Sequence, residues 1–272
     1  MKFRHIPFRH TTICVFLCSS LLIPLQGMAE ASTPEPQMPE PQISKGSRPD
    51  FSGVWEMADF DLVRRPETNN PTFTPEAKAK LDYFKKYYDE IKDDPALFCM
   101  VKGMPWTITS RARTYPTEIY QTDDQIFMFF EYMDNRRVIH LDKTEMPEFY
   151  PRSSEGYSIG HWEDDTLVIK TRGLTAKHDI SPYARSEETT IIERWTLVEN
   201  PKFGTTIDIE VTVHDPNVYA KPAKGHQVFM RAPEGISVGG YNCQYQLWDK
   251  HIEKREKEIE QKSALRGDLR GE

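Results

Sequence analysis

The segment Thr205–Asp215 alternates without a break: Ile207, Ile209, Val211 and Val213 fall on one side, Thr206, Asp208, Glu210, Thr212 and His214 on the other. A period of two over that length is a β-strand with one buried face. Similar short runs, cut by turn residues, recur upstream. Glu118–Gln121 leads through Thr-Asp-Asp into Gln125–Tyr132, and Met-Asp-Asn precedes Arg136–Asp142. Tyr157–Trp162 and Thr166–Thr171 flank Glu163-Asp164-Asp165, and Thr189–Val198 reaches Thr205–Asp215 through Glu-Asn-Pro-Lys-Phe-Gly. Short strands with tight turns and one polar face each predict a mainly β chain. Its economical architecture is an antiparallel β-barrel, up-and-down or nearly so, with a β-sandwich as the alternative.

One helix interrupts this pattern as an insertion near the N-terminus. Thr74 can cap it, Pro75 suits its first turn, and Ala77, Leu81, Phe84, Tyr88 and Ile91 recur at helical spacing up to Asp93-Asp94-Pro95. The charged run after Trp248 reads as a solvated helical tail over 251–272. The barrel domain is then 48–250, of which 95–116 and 216–243 carry only a loose pattern.

The N-terminus has a different character. A basic start, the apolar run Thr-Ile-Cys-Val-Phe-Leu-Cys and the small-x-small triplet Ala29-Glu30-Ala31 read as a signal peptide over 1–31. Val-Phe-Leu before Cys18 lacks the small residue of a lipid-attachment signal. Residues 32–47, rich in Pro and nearly devoid of core-forming side chains, read as a disordered spacer. The expected location is periplasmic or secreted. The formal charge is −7, and removal of Lys2, Arg4, Arg9 and Glu30 takes away a net +2, leaving −9. That balance disfavours nucleic acid and anionic membranes as partners. Of four cysteines, Cys99 and Cys243 stay in the mature chain, where an oxidising compartment predicts one disulfide.

Several strand residues break an otherwise apolar row. With Met133-Asp134-Asn135 as a three-residue turn, Glu131 lies opposite Arg137, on a face with Phe127, Phe129 and Ile139. Glu193 interrupts Ile191, Trp195 and Leu197, Asp215 follows the inward row of Thr205–Asp215, and His161 alternates with Tyr157 and Ile159. Each has a bland alternative: an ion pair, a strand-ending acceptor of loop N–H groups, a satisfied histidine. Glu163-Asp164-Asp165 reads as hairpin turn chemistry, because Asp tolerates the left-handed backbone. Gly156-Tyr157-Ser158-Ile159-Gly160 matches the nucleophile-elbow string but lies in a strand with no helix after it. No histidines have metal-ligand spacing on one element, so neither metal nor cofactor is expected.

Pro49-Asp50-Phe51-Ser52-Gly53-Val54-Trp55, Arg136-Arg137, Gly156–Trp162, Asp165–Ile169, Glu193-Arg194 and Asp215-Pro216 resemble an uncharacterised family of exported bacterial proteins. The resemblance covers roughly 48–245. It implies a periplasmic, lipocalin-like β-barrel domain and brings no settled activity. The family commonly has Gly at position 164, where this chain has Asp, and often His at position 185, where it has Arg.

Two functions follow as expectations. One is a barrel binding a small apolar or aromatic molecule in its interior, lined by Phe127, Phe129, Ile139 and Trp195 and oriented by Arg137 and Glu131. The other is a cofactor-independent lyase, isomerase or cyclase, in which Glu193, Asp215 or His161 moves a proton and Arg137 steadies the anion. An envelope interaction domain is a third.

Overall fold

A computed structural model of the chain describes residues 48–58, 71–109, 115–176, 185–242 and 247–268. The expected signal peptide and spacer lie outside these residues. Among the described residues the strands β1 (Gly53–Met57), β2 (Thr117–Gln121), β3 (Gln125–Phe130), β4 (Asn135–His140), β5 (Tyr157–Glu163), β6 (Thr166–Arg172), β7 (Thr190–Asn200), β8 (Gly204–His214) and β9 (Ala223–Arg231) close into one barrel. Each strand pairs with its sequence neighbour, and β9 returns to β1.

Every junction is antiparallel except β4–β5, where Ile139 faces Ser158 and His140 faces Ile159 in parallel. The expected antiparallel barrel meets one exception here, for a simple reason. A ring of nine cannot alternate direction all the way round, so at least one neighbour pair must run parallel. The connection 141–156 therefore has to carry the chain back along the barrel. Tyr150 of this connection packs edge-on to Tyr157, which also stacks on His140.

Two strands escaped the sequence pattern. β1 is short, and β9 buries residues on both faces, including His226, Gln227, Val228 and Phe229, so it shows no clean alternation. The β5–β6 hairpin has only Asp164 and Asp165 between the paired Glu163 and Thr166, with Asp164 at φ +50°. Glu163 belongs to the strand, not the turn.

The interior is filled by side chains. Phe51 stacks on Trp162 and meets Trp195 edge-on, both with ring centroids 5.7 Å apart. Trp55, Met128, Ile139, Leu167, Ile209 and Phe229 complete a core without exposure. A barrel of this size has room either for such side chains or for a ligand, and this one is packed.

Helix α1 (Pro75–Tyr87) begins as expected, with the Thr74 hydroxyl accepting from the Ala77 N–H. It stops before Ile91, which is exposed rather than buried. A four-residue helix α2 (Trp106–Thr109) buries Thr107 and Ile108. Helix α3 (Leu247–Asp268) is anchored, not a free tail. Its Trp248 is buried against Phe98 of the 3-10 turn Pro95–Phe98, and His251 and Arg255 both reach Asp93.

Candidate functional site

The residues expected to work together are dispersed, because the β3–β4 turn is longer than its sequence suggests. Phe130 pairs with Asn135, and Met128 with Arg137, so Glu131 to Asp134 form the turn. Met133 and Asp134 take positive φ there. The register moves by an odd number of residues, which exchanges the faces of β3. Ile126, Met128 and Phe130 are buried in the core instead of Phe127 and Phe129, and Phe129 is 43% exposed. Ile139 and Trp195 do point inward, as core residues without exposure.

Arg137 and Glu193 meet inside the barrel. Arg137 donates from Nη1 to Glu193 Oε2 at 2.9 Å, from Nη2 to Glu193 Oε1, and from Nη2 to Thr171 Oγ1 at 2.9 Å. Its Nε donates to Ser158 Oγ at 3.1 Å, and the Trp195 indole N–H donates to Glu193 Oε2 at 3.1 Å. Both ionic side chains are sealed, at 1% and 0% exposure. Such a pair offsets its desolvation only when its donors and acceptors are largely bonded, and here four of the five guanidinium N–H groups and both Glu193 oxygens have partners. A pair bonded in this way inside a packed core has little to offer a ligand.

The remaining candidates hold loops and edges. Glu131 Oε2 accepts the Gly239 N–H at 2.7 Å. Buried Asp215 accepts from the Ser186 N–H and hydroxyl, the Thr189 hydroxyl and the Asn217 N–H. This is the strand-ending role, and it predicts a stability effect. Asp215→Asn replaces an acceptor oxygen by a donor facing other donors, which is expected to cost about 1–3 kcal/mol, read from the urea midpoint. His161 pairs across with Val168 and contacts Glu163 at 3.3 Å. Ser158, Gly160 and Trp162 are the inward residues of that strand, so His161 sits on the outer face, away from Glu193. Cys99 is described, but its expected partner Cys243 lies outside the described residues.

A different site lies at the barrel end where β1 and β3 finish and β2, β4 and β5 begin. A pocket there is walled by Trp106, Tyr115 and Tyr132, with Thr107, Asn135, Lys102, Val101, Met57, Thr117, Phe130 and Met133 around them. Its cavity volume is about 20 Å³, room for about one water. Including the open mouth, the empty space is about 370 Å³. The Tyr132 ring lies 5.7 Å from Trp106 and 5.1 Å from Tyr115, and burial raises its phenol pKa. Lys102 places its ammonium 4.5 Å from the Trp106 ring and pairs with Asp94 at 2.9 Å.

Behind two of these wall residues stands Glu155. Its Oε1 accepts from Thr107 Oγ1 and from Asn135 Nδ2, each at 2.9 Å. Its Oε2 is buried with no hydrogen-bond partner. Burial pushes the carboxyl pKa up, only partly offset by those two bonds and by the charges of Arg137 and Arg185. Gly156 places it: φ is +68°, and a Cβ there would sit 2.4 Å from the Arg172 carbonyl oxygen. No sequence pattern announces this site. Glu155 lies in a loop, and Trp106, Thr107 and Tyr115 in the unpatterned 95–116; the only local cue is an acid just ahead of the Gly156–Trp162 motif.

No protein-family model matches the chain, and no curated protein matches it. Among solved structures, a crystal structure of a mutant of the fluorescent protein UnaG is similar at 13% identity and a TM-score of 0.30, covering 68% of this chain and 97% of that one. A likeness that weak carries no argument about ligand or activity.

Proposed function

We propose that this β-barrel binds a small aromatic molecule at its mouth, laid against the open aromatic face between α2 and the β3–β4 turn, and not in its interior. The observation that carries this reading is the contrast between the two places. The interior is packed and its Arg137–Glu193 pair is bonded and sealed, whereas the mouth gathers Trp106, Tyr115 and Tyr132 around open space. Aromatic walls with a few polar groups behind them are the usual make-up of a small-molecule pocket. The enzyme reading loses its support, since Glu193, Asp215 and His161 face no common cavity. The proposal includes export to the periplasm and a lipocalin-like barrel, supported by the N-terminal signal and the resemblance, and a Cys99–Cys243 bridge, supported by the two cysteines left in an oxidising compartment.

Native mass spectrometry of the protein isolated from its host, followed by denaturation, tests this. The expected result is a released, ultraviolet-absorbing molecule, with occupancy at least about ten-fold lower in Trp106→Ala Tyr132→Ala, a loss equivalent to about 1.4 kcal/mol. A protein that carries nothing and takes up no aromatic probe overturns the reading. The same denatured mass reports the bridge as a deficit of about two hydrogens.

A further inference from the structure

Part of the aromatic wall at the mouth is already covered by the chain itself. The segment 232–242, which follows β9, has no buried residue and reaches the β3–β4 turn as a strap. Two carboxylates of that turn hold it. Glu131 Oε2 accepts the Gly239 N–H at 2.7 Å, and Asp134 Oδ1 accepts the Tyr241 N–H at 2.8 Å. These bonds deliver the Tyr241 ring to the mouth. It stands edge-on to Tyr115 and to Tyr132, with centroids 5.4 Å and 5.6 Å apart. Tyr115 and Tyr132 are themselves 5.1 Å apart, and both wall the pocket. The three phenols make a closed triangle, and one corner of it rides on an exposed strap. Both strap bonds are open to solvent, and Gly239-Gly240 directly precede the ring. A Cβ at Gly240 would meet nothing within 4 Å, so the backbone has room to swing there.

We propose that Tyr241 is a built-in occupant of the mouth site, and that the ligand is a neutral phenol whose ring takes the place of the Tyr241 ring as the strap lifts. This rests on the mouth reading above. The cavity has room for about one water, not for a ring. A ring laid on Tyr115 and Tyr132 therefore competes with the one already there. Tyr241 shows what that place accepts: a single ring, edge-on to two others, with its hydroxyl beside that of Tyr115. Burial first, then the Tyr115 phenol through its charge and a side-chain hydrogen bond, push the Tyr241 pKa up, in agreement with a phenol held neutral there. A strap that exchanges between closed and open lowers the apparent affinity in proportion to its open fraction. Loosening the strap must then tighten the ligand.

The test titrates two probes into the full-length mature protein by NMR: p-cresol, the tyrosine side chain as a free molecule, and toluene, which lacks its hydroxyl. Tyr241→Ala is expected to bind p-cresol about ten-fold more tightly than the wild type. Toluene is expected to bind that variant about five-fold more weakly than p-cresol, the size of one hydrogen bond. Glu131→Ala Asp134→Gly frees the strap with every ring intact, glycine suiting the φ of +47° at position 134. It is expected to tighten p-cresol about three-fold. In the wild type, p-cresol is expected to accelerate amide exchange at Gly239 and Tyr241, a reading that needs no variant to fold. Equal p-cresol affinity in the wild type and Tyr241→Ala, or unchanged exchange at those two amides in the p-cresol complex, overturns the built-in occupant and leaves the mouth reading standing. Toluene binding as tightly as p-cresol overturns the choice of a phenol. Binding of neither probe to any of these proteins overturns both readings.

Discussion

Glu193→Leu is expected to lower the stability of the barrel by about 3–5 kcal/mol, the cost of leaving a buried charge unpaired. The variant strands the Arg137 guanidinium in a core where its side chain is 1% exposed, and it removes the acceptor of the Trp195 indole N–H. The double variant Arg137→Met Glu193→Leu is expected to recover most of that loss. Replacing both members of a buried pair by apolar side chains is often neutral. The hydroxyls left behind are not stranded either, since Ser158 Oγ and Thr171 Oγ1 already lie 2.9 Å apart and can bond each other. Urea unfolding of the three proteins measures this directly. A single-variant loss below about 1 kcal/mol, the range of exposed pairs, would mean that water reaches the pair and that the barrel interior is not sealed.

The second large effect is at Asp93, where α3 is fastened. Asp93 is 1% exposed; it accepts the Asp89 N–H at 2.8 Å, contacts His251 Nε2 at 2.8 Å and contacts Arg255 Nε at 2.9 Å. Asp93→Ala removes a buried charge that ties the segment after α1 to the C-terminal helix. It is expected to cost about 2–5 kcal/mol, as truncating one member of a buried, hydrogen-bonded charge pair does. The loss should be local. Amide exchange in α3 is expected to accelerate while β7 and β8 stay protected; uniform acceleration throughout the barrel would overturn this. The pH dependence has a definite sign. Burial works to raise the Asp93 pKa, but the bonds from Asp89, His251 and Arg255 together outweigh it and hold the pKa below 3.8. A depressed carboxylate contributes its stability above the unfolded value and loses it as pH falls through the folded one. The helix is therefore expected to come free in acid, below about pH 4, and not on the alkaline side.

What the sequence revealed and what it concealed divide along physical lines. The strands of β7 and β8 were legible because one face is core and the other solvent, and the N-terminus of α1 because Thr74 and Pro75 have direct roles there. Arg137 and Glu193 were rightly singled out as polar residues among apolar neighbours, but pairing them with each other was one possibility among several. The inward placing of Phe127 and Phe129 failed at a single turn. One miscounted loop residue reverses a face, and nothing in Glu131-Tyr132-Met133-Asp134 announces that Met133 takes a left-handed backbone. β9 was hidden because both its faces are buried, which erases alternation. Glu155 was hidden for the opposite reason: a loop acid acquires its chemistry only from what folds around it.

The parallel junction between β4 and β5 gives Arg137 a further meaning. With only two residue pairs, that junction is the shortest in the ring. Arg137 belongs to β4, while the groups it grips, Ser158, Thr171 and Glu193, belong to β5, β6 and β7. One guanidinium thus reaches from one side of the slit to three consecutive staves on the other. Where parity leaves the cylinder with little backbone stitching, a side chain clasps it shut from within.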